Sequence, residues 1–151
     1  MPLDHDRFMG LALEEARRSL AEGSAPVGSV IVKDGEVVGA GRNRVLSLRD
    51  PTVHAEVDAI RGACRRLGTA NLSGCVLYSS LEPCPMCLWA IQLAQIGTLV
   101  LGARHRDLGR TDIGDYCVEE MLRLTKRQME LVTGVRAAEC AAIRRDWTPK
   151  A

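Results

Sequence analysis

Nowhere in the 151 residues is there an apolar run of about twenty, the length a membrane-spanning helix requires. A surplus of one charge is missing too: 20 Lys and Arg stand against 19 Asp and Glu, a net charge of +1, which argues against broad electrostatic attraction to nucleic acid or membranes. The start, MPLDHDRF, lacks the basic-then-apolar pattern of a secretory leader, so the cytoplasm is the expected compartment. With 46% hydrophobic and 26% charged residues, the composition is neither that of a disordered chain nor that of a fibrous one. The length predicts one compact domain over residues 1–151 with a sizeable core.

A disulfide framework is also not indicated. Of the six cysteines, Cys64, Cys75, Cys117 and Cys140 lie in apolar settings where a small buried thiol is the simplest reading. Only Cys84 and Cys87 have ligand spacing. A redox pair would follow the first strand of a thioredoxin-like unit, and a structural zinc site would need a second pair; neither is present.

The pattern predicts a helix from Asp4, as cap, to about Glu22. VGSVIVK and EVVGAGR follow as strands joined at Asp34-Gly35, a hairpin signal. The stretch Asn43 to Pro51 reads as polar and turn-rich, with Thr52 expected to cap a helix from Val53 to Leu67 that stops at Gly68. CVLYSS is a predicted strand, Pro85 opens a helix to about Ile96, and Thr98 to Leu101 is another strand. A loop over residues 102–115, a helix over Tyr116–Thr125, a strand in MELVTG and a helix over 136–146 complete the chain. Hairpin first, helical crossovers later, the order implies an α/β fold: a mixed sheet of about five strands covered on both faces.

Three strings carry chemistry: Asn43, His54-Ala55-Glu56, and Pro83-Cys84-Pro85-Met86-Cys87. One imidazole and two thiolates suit Zn²⁺, and three protein ligands leave a fourth tetrahedral position to water. Both ligand strings fall at predicted helix N-termini, which favour thiolate over thiol. Zinc lowers the pKa of its water from about 15.7 to about 7. Glu56, two residues from His54, is placed to move that water's proton, the pairing that hydrolytic deamination of an amidine-like carbon requires.

On these strings the sequence resembles the zinc-dependent cytidine/nucleobase deaminase superfamily, whose signature is H-x-E…P-C-x-x-C. DPTVHAEVDAIRGACRRLG and LYSSLEPCPMCLWAI look most like bacterial guanine deaminases; tRNA adenosine deaminases and fungal-type cytosine deaminases share shorter parts. The resemblance implies a three-layer αβα cytidine-deaminase-like fold, zinc on His54, Cys84 and Cys87, Glu56 as proton shuttle and Asn43 as a base-binding residue. It lays Asp115 on an acidic residue that reads a ring N–H or amino group of guanine. After Tyr116 the sequence departs from the guanine-deaminase pattern and runs to Arg145-Asp146-Trp147; by analogy with the family's C-terminal aromatic, Trp147 is a candidate pocket cover.

Simpler roles stand beside these. Asp115 also reads as a helix cap, Asn43 as a turn residue, His5 and His105 as surface or loop residues, and Trp89 as core or dimer packing. Lys126-Arg127 and Arg144-Arg145 read as solvated faces. The expected activity is guanine to xanthine with release of ammonia. The alternatives are a tRNA-editing adenosine deaminase, for which the neutral charge is unfavourable, and a cytosine-type base or nucleoside deaminase. A binding module without activity would have lost Glu56 or a ligand, and all four residues are present. A homodimer is expected.

Overall fold

In a computed structural model, which describes residues 2–149, the chain forms α1 (His5–Ala21), β1 (Gly28–Lys33), β2 (Glu36–Arg42), α2 (Val45–Leu48), α3 (Ala55–Leu67), β3 (Val76–Leu81), α4 (Pro85–Leu93), β4 (Thr98–Ala103), a 3-10 turn (His105–Leu108), α5 (Val118–Thr125), β5 (Glu130–Val132) and α6 (Ala137–Arg145). The strands make one mixed sheet in the order β2-β1-β3-β4-β5. β1 is antiparallel to β2 and β3, whereas β3, β4 and β5 run parallel.

Alternation along the strands divides the core into two layers. Val30, Val32, Tyr78 and Val100 pack with Phe8, Met9 and Leu13 of α1 and Cys140 of α6. Ile31, Leu77, Leu99 and Leu101 face the other way, onto Ala59 and Ala63 of α3, Leu88 and Ile91 of α4, and Val118 of α5. The expected three-layer αβα arrangement is therefore present. Among the described residues no helix is long and apolar enough to cross a membrane.

Local signals act largely as read. Asp34 and Gly35 both take positive φ, 50° and 77°, the left-handed pair a tight hairpin demands. Asp4 caps α1 by accepting from the Arg7 amide at 3.0 Å, and Gly68 ends α3 in a left-handed conformation. All six cysteines are free; Cys75 and Cys140 are buried, while Cys64 and Cys117 are only half-buried.

Four expectations need correction. Residues 45–48 form a helical turn where only irregular chain was expected, and 105–108 form a 3-10 turn inside the supposed loop. Thr52 does not cap α3: the Asp50 carboxylate accepts from both its amide, at 2.9 Å, and its hydroxyl, at 2.6 Å, and His54 becomes the N-cap residue. α4 stops at Leu93 rather than Ile96, two residues before Gln95 turns to φ 64°.

Candidate active site

Three chain ends converge on one side of the sheet. β3 runs out at Leu81 and delivers Glu82, Pro83 and Cys84; Cys84 caps α4, with Pro85 as its first helical residue. β2 ends at Arg42 and delivers Asn43, while His54 caps α3 and Glu56 sits in that helix's first turn. Residues at a helix start lean back toward its N-terminal end, so the two helix starts bring His54, Cys84 and Cys87 together. One ligand atom from each lies within 4.8 Å of the others.

These residues fit zinc. His54 Nδ1 is 3.5 Å from Cys84 Sγ and 3.4 Å from Cys87 Sγ, close to the roughly 3.6 Å edge of a tetrahedron built with Zn–N near 2.05 Å and Zn–S near 2.3 Å. The Cys84 thiol is pulled down to about 4, first by the hydrogen bond from Cys87 and, against burial, by that from His54. The same hydrogen bond and burial push Cys87 up. One thiolate and its two donors thus share protons at the place where a soft cation would bind both sulfurs.

Glu56 is only 3% exposed. Burial, and then the negative charge of Cys84, push its carboxyl up to about 7, the range in which a carboxyl group both accepts and returns a proton near neutral pH. Glu56, His54, Cys84 and Asn43 line a cavity of about 180 Å³. That is smaller than the ~300–1,000 Å³ of sites for drug-sized ligands, and it suits one small ring system. The Asn43 side-chain oxygen accepts from the Val45 amide at 3.1 Å, which leaves its NH₂ as the group free to donate to a ligand.

A family model described as the cytidine and deoxycytidylate deaminase zinc-binding region matches residues 2–103. The chain belongs to this deaminase family. It is 47% identical to a tRNA-specific adenosine deaminase from Aquifex aeolicus, over 68% of each chain. It is also 43% identical to a guanine deaminase from Bacillus subtilis, over 75% of this chain and 73% of that one. A solved structure from a study of A-to-I editing by tRNA:A34 deaminases at the wobble position superposes with a TM-score of 0.79 at 38% identity, covering 91% of this chain and 98% of that chain. Membership makes the chain a zinc-dependent hydrolytic deaminase, and His54, Cys84 and Cys87 are the candidate holders of its zinc.

Not every expected residue reaches the deaminase cavity. Asp115 is exposed, is not among the residues that line it, and does not cap α5, whose N-cap is Cys117. Trp147 does not line it either: its half-buried ring lies 5.0 Å from the Arg144 guanidinium. Trp89 is 37% exposed on α4, away from the cavity, under Arg127 at 5.2 Å.

Two residues with plain sequence readings, His105 and Arg144, line the cavity, together with Arg110. His105 is 4% exposed rather than on the surface, and it lines the cavity. Its Nδ1 takes a hydrogen bond from Arg110 Nη1 at 3.4 Å. A guanidinium only donates, so the ring proton is on Nε2, which has no partner among the described residues. Arg144, read as a solvated face, also lines the cavity, as does Arg110. Arg145, next in sequence, is the exposed one.

Proposed function

We propose that residues 1–151 act as one deaminase unit that hydrolytically removes the exocyclic amino group from a purine or pyrimidine ring seated in the cavity. The observation that carries this reading is the buried Glu56 carboxyl beside the three-ligand cluster at a cavity of single-ring-system size. When bound, zinc supplies Lewis-acid activation of water near neutral pH. Glu56 takes a proton from the attacking water and returns it to the departing nitrogen. A C–O bond forms at the ring carbon, the bond from that carbon to the exocyclic amino nitrogen breaks, and the amino group leaves as ammonia with the proton that Glu56 carried. The Asn43 NH₂ donates to an acceptor on the ring and fixes its orientation.

Guanine as the substrate is supported by the 43% identity to a guanine deaminase; Asp115, which does not line the cavity, adds nothing to that support. A second reading, deamination of an adenosine held within a tRNA, is favoured by the identity to the tRNA-specific relatives and by the arginines of the cavity wall. An ammonia-release assay over guanine, adenine, cytosine, their nucleosides and a tRNA separates these readings. Turnover of at least one compound is expected, and turnover of none would overturn the proposal.

We also infer that the partner is a second copy of this chain. On α4, Met86, Trp89 and Leu93 are 38%, 37% and 64% exposed, and their spacing of three and four residues puts them on one face.

A further inference from the structure

Two guanidinium groups border the cavity opening. Arg110 and Arg144 line it, yet both reach solvent: the Arg110 side chain is 25% exposed and Arg144 is half-buried, whereas Glu56 is only 3% exposed. Their charges are not balanced. Arg110 holds Asp112 through two contacts, Nε to Oδ1 at 3.0 Å and Nη2 to Oδ2 at 2.6 Å. Among the described residues Arg144 has neither a carboxylate within ion-pair distance nor a hydrogen-bond acceptor. Instead its guanidinium lies over the Trp147 ring, 5.0 Å from the centroid, a contact that restrains the side chain without consuming its donors.

The rest of the wall does not supply the missing charge. Glu82, the other carboxylate there, is taken up by Arg104 and two backbone amides, and Glu56 lies at the zinc cluster. Two cations thus share one carboxylate at a partly desolvated opening. Burial first, and the nearby Arg110 charge second, hold the Arg144 pKa below its ordinary value, with Asp112 partly offsetting them. A partly buried guanidinium without a partner costs free energy that an anionic ligand would return.

We propose that Arg144, oriented by Trp147, forms with Arg110 a phosphate subsite, so that the ring in the cavity is the base of a nucleotide rather than a free base. This rests on the nucleobase-deaminase reading of the zinc site. A planar guanidinium engages two phosphate oxygens at once, and a neutral free base offers it nothing of the kind. The phosphate comes either from a mononucleotide or from an RNA strand; the recognition chemistry is shared, and the experiment separates the sources. Trp147 is a positioning residue that acts through Arg144.

The test uses the full chain loaded with zinc and carrying Glu56→Gln, so that ligands bind without turnover. Calorimetry compares cytidine, adenosine and guanosine with their 5′-monophosphates and with a short RNA hairpin bearing adenosine in its loop. At least one phosphorylated ligand is expected to bind ten-fold or more tighter than its nucleoside, an advantage that weakens with salt. Adding Arg144→Ala should cut the advantage below three-fold, and Arg144→Lys should retain part of it, since a point charge replaces a fork. An advantage confined to the hairpin identifies RNA; one shown by a mononucleotide identifies the smaller substrate. No phosphate advantage, or one that survives Arg144→Ala, overturns the subsite.

The wild-type enzyme separates the two readings. Equal kcat/KM for a free base and its nucleotide would sink the subsite and leave the deaminase reading standing. Arg144-dependent nucleotide binding with no ammonia release from any compound would do the reverse.

Discussion

Arg104 grips Glu82 as a buried two-pronged pair, Nε to Oε1 at 3.0 Å and Nη2 to Oε2 at 3.1 Å, at the point where β3 hands over to the Pro83-Cys84 turn. The same carboxylate accepts the His105 amide at 3.0 Å and the Val118 amide at 2.8 Å. One side chain therefore ties the end of β3, the end of β4 and the start of α5, and holds the turn that presents Cys84.

Burial alone would raise the Glu82 pKa, but its hydrogen bonds from Arg104 and the two amides outweigh burial and hold it below the usual carboxylate value. A depressed folded-state pKa stabilises above the ordinary carboxylate range, and the stabilisation is lost as pH falls through the folded value. Glu82→Gln, which leaves Arg104 with only the exposed Glu119 as its carboxylate partner, should cost about 1.5–3 kcal/mol at pH 7 by urea denaturation. The gap between wild type and variant should narrow in acid, where the wild type loses its carboxylate charge. A gap independent of pH would assign the loss to packing instead.

Cys84→Ser and Cys87→Ser should each lose the metal as well as the activity, because three ligands make the site and two leave it incomplete. Metal analysis after gel filtration should give about one zinc per chain for wild type and a small fraction of that for either variant. Acid should release zinc from the wild type, since thiolates and a neutral imidazole are needed to hold it. Full zinc retention by either serine variant would contradict the assigned ligand set.

Gly41 on β2 sets how closely the sheet approaches α3. A Cβ there would lie 2.3 Å from the Ala59 amide nitrogen and 2.4 Å from the Ala55 carbonyl oxygen, both backbone atoms of the helix whose start carries His54 and Glu56. Gly41→Ala should therefore destabilise by about 1–3 kcal/mol, the range for overpacking, and weaken zinc retention by displacing the helix start. Thermal unfolding with and without added zinc would show this; an unchanged Tm would mean that the helix yields freely.

If α4 faces a second copy, Leu93→Asp should convert a dimer into monomers in light scattering at micromolar concentration, since a charge within an apolar contact is costly to bury. A wild-type protein that is already monomeric would remove the homodimer from the account.

The parts legible in the sequence are those set by neighbours in the chain. Asp34-Gly35 needs nothing beyond its own two residues to turn the hairpin, Gly68 stops α3 by its own conformation, and the His-x-Glu and Cys-x-x-Cys strings carry their chemistry in contiguous residues. What was not legible depends on elements far apart. Arg144 and Arg145 are adjacent and chemically alike, but about 100° apart around α6; only packing decides that Arg144 faces the cavity. His105 reads as a loop residue until β4 ends beside β3 and buries it. Glu82 stood unremarked beside the ligand motif because its role depends on Arg104, 22 residues away. The place of Asp115, exposed and outside the cavity lining, was not legible for a similar reason, since the length of a loop does not say which way its acids point.

Glu56 is the group on which the proposed reaction depends most, because it moves the proton. Its direct test is ammonia release by zinc-loaded wild type and Glu56→Gln, on whichever compound of the panel the wild type turns over, with zinc measured in the same samples. Both proteins should hold about one zinc per chain, and the variant should lose about 10²- to 10⁴-fold in kcat. A variant that keeps its zinc and more than about a tenth of the wild-type kcat would contradict the account.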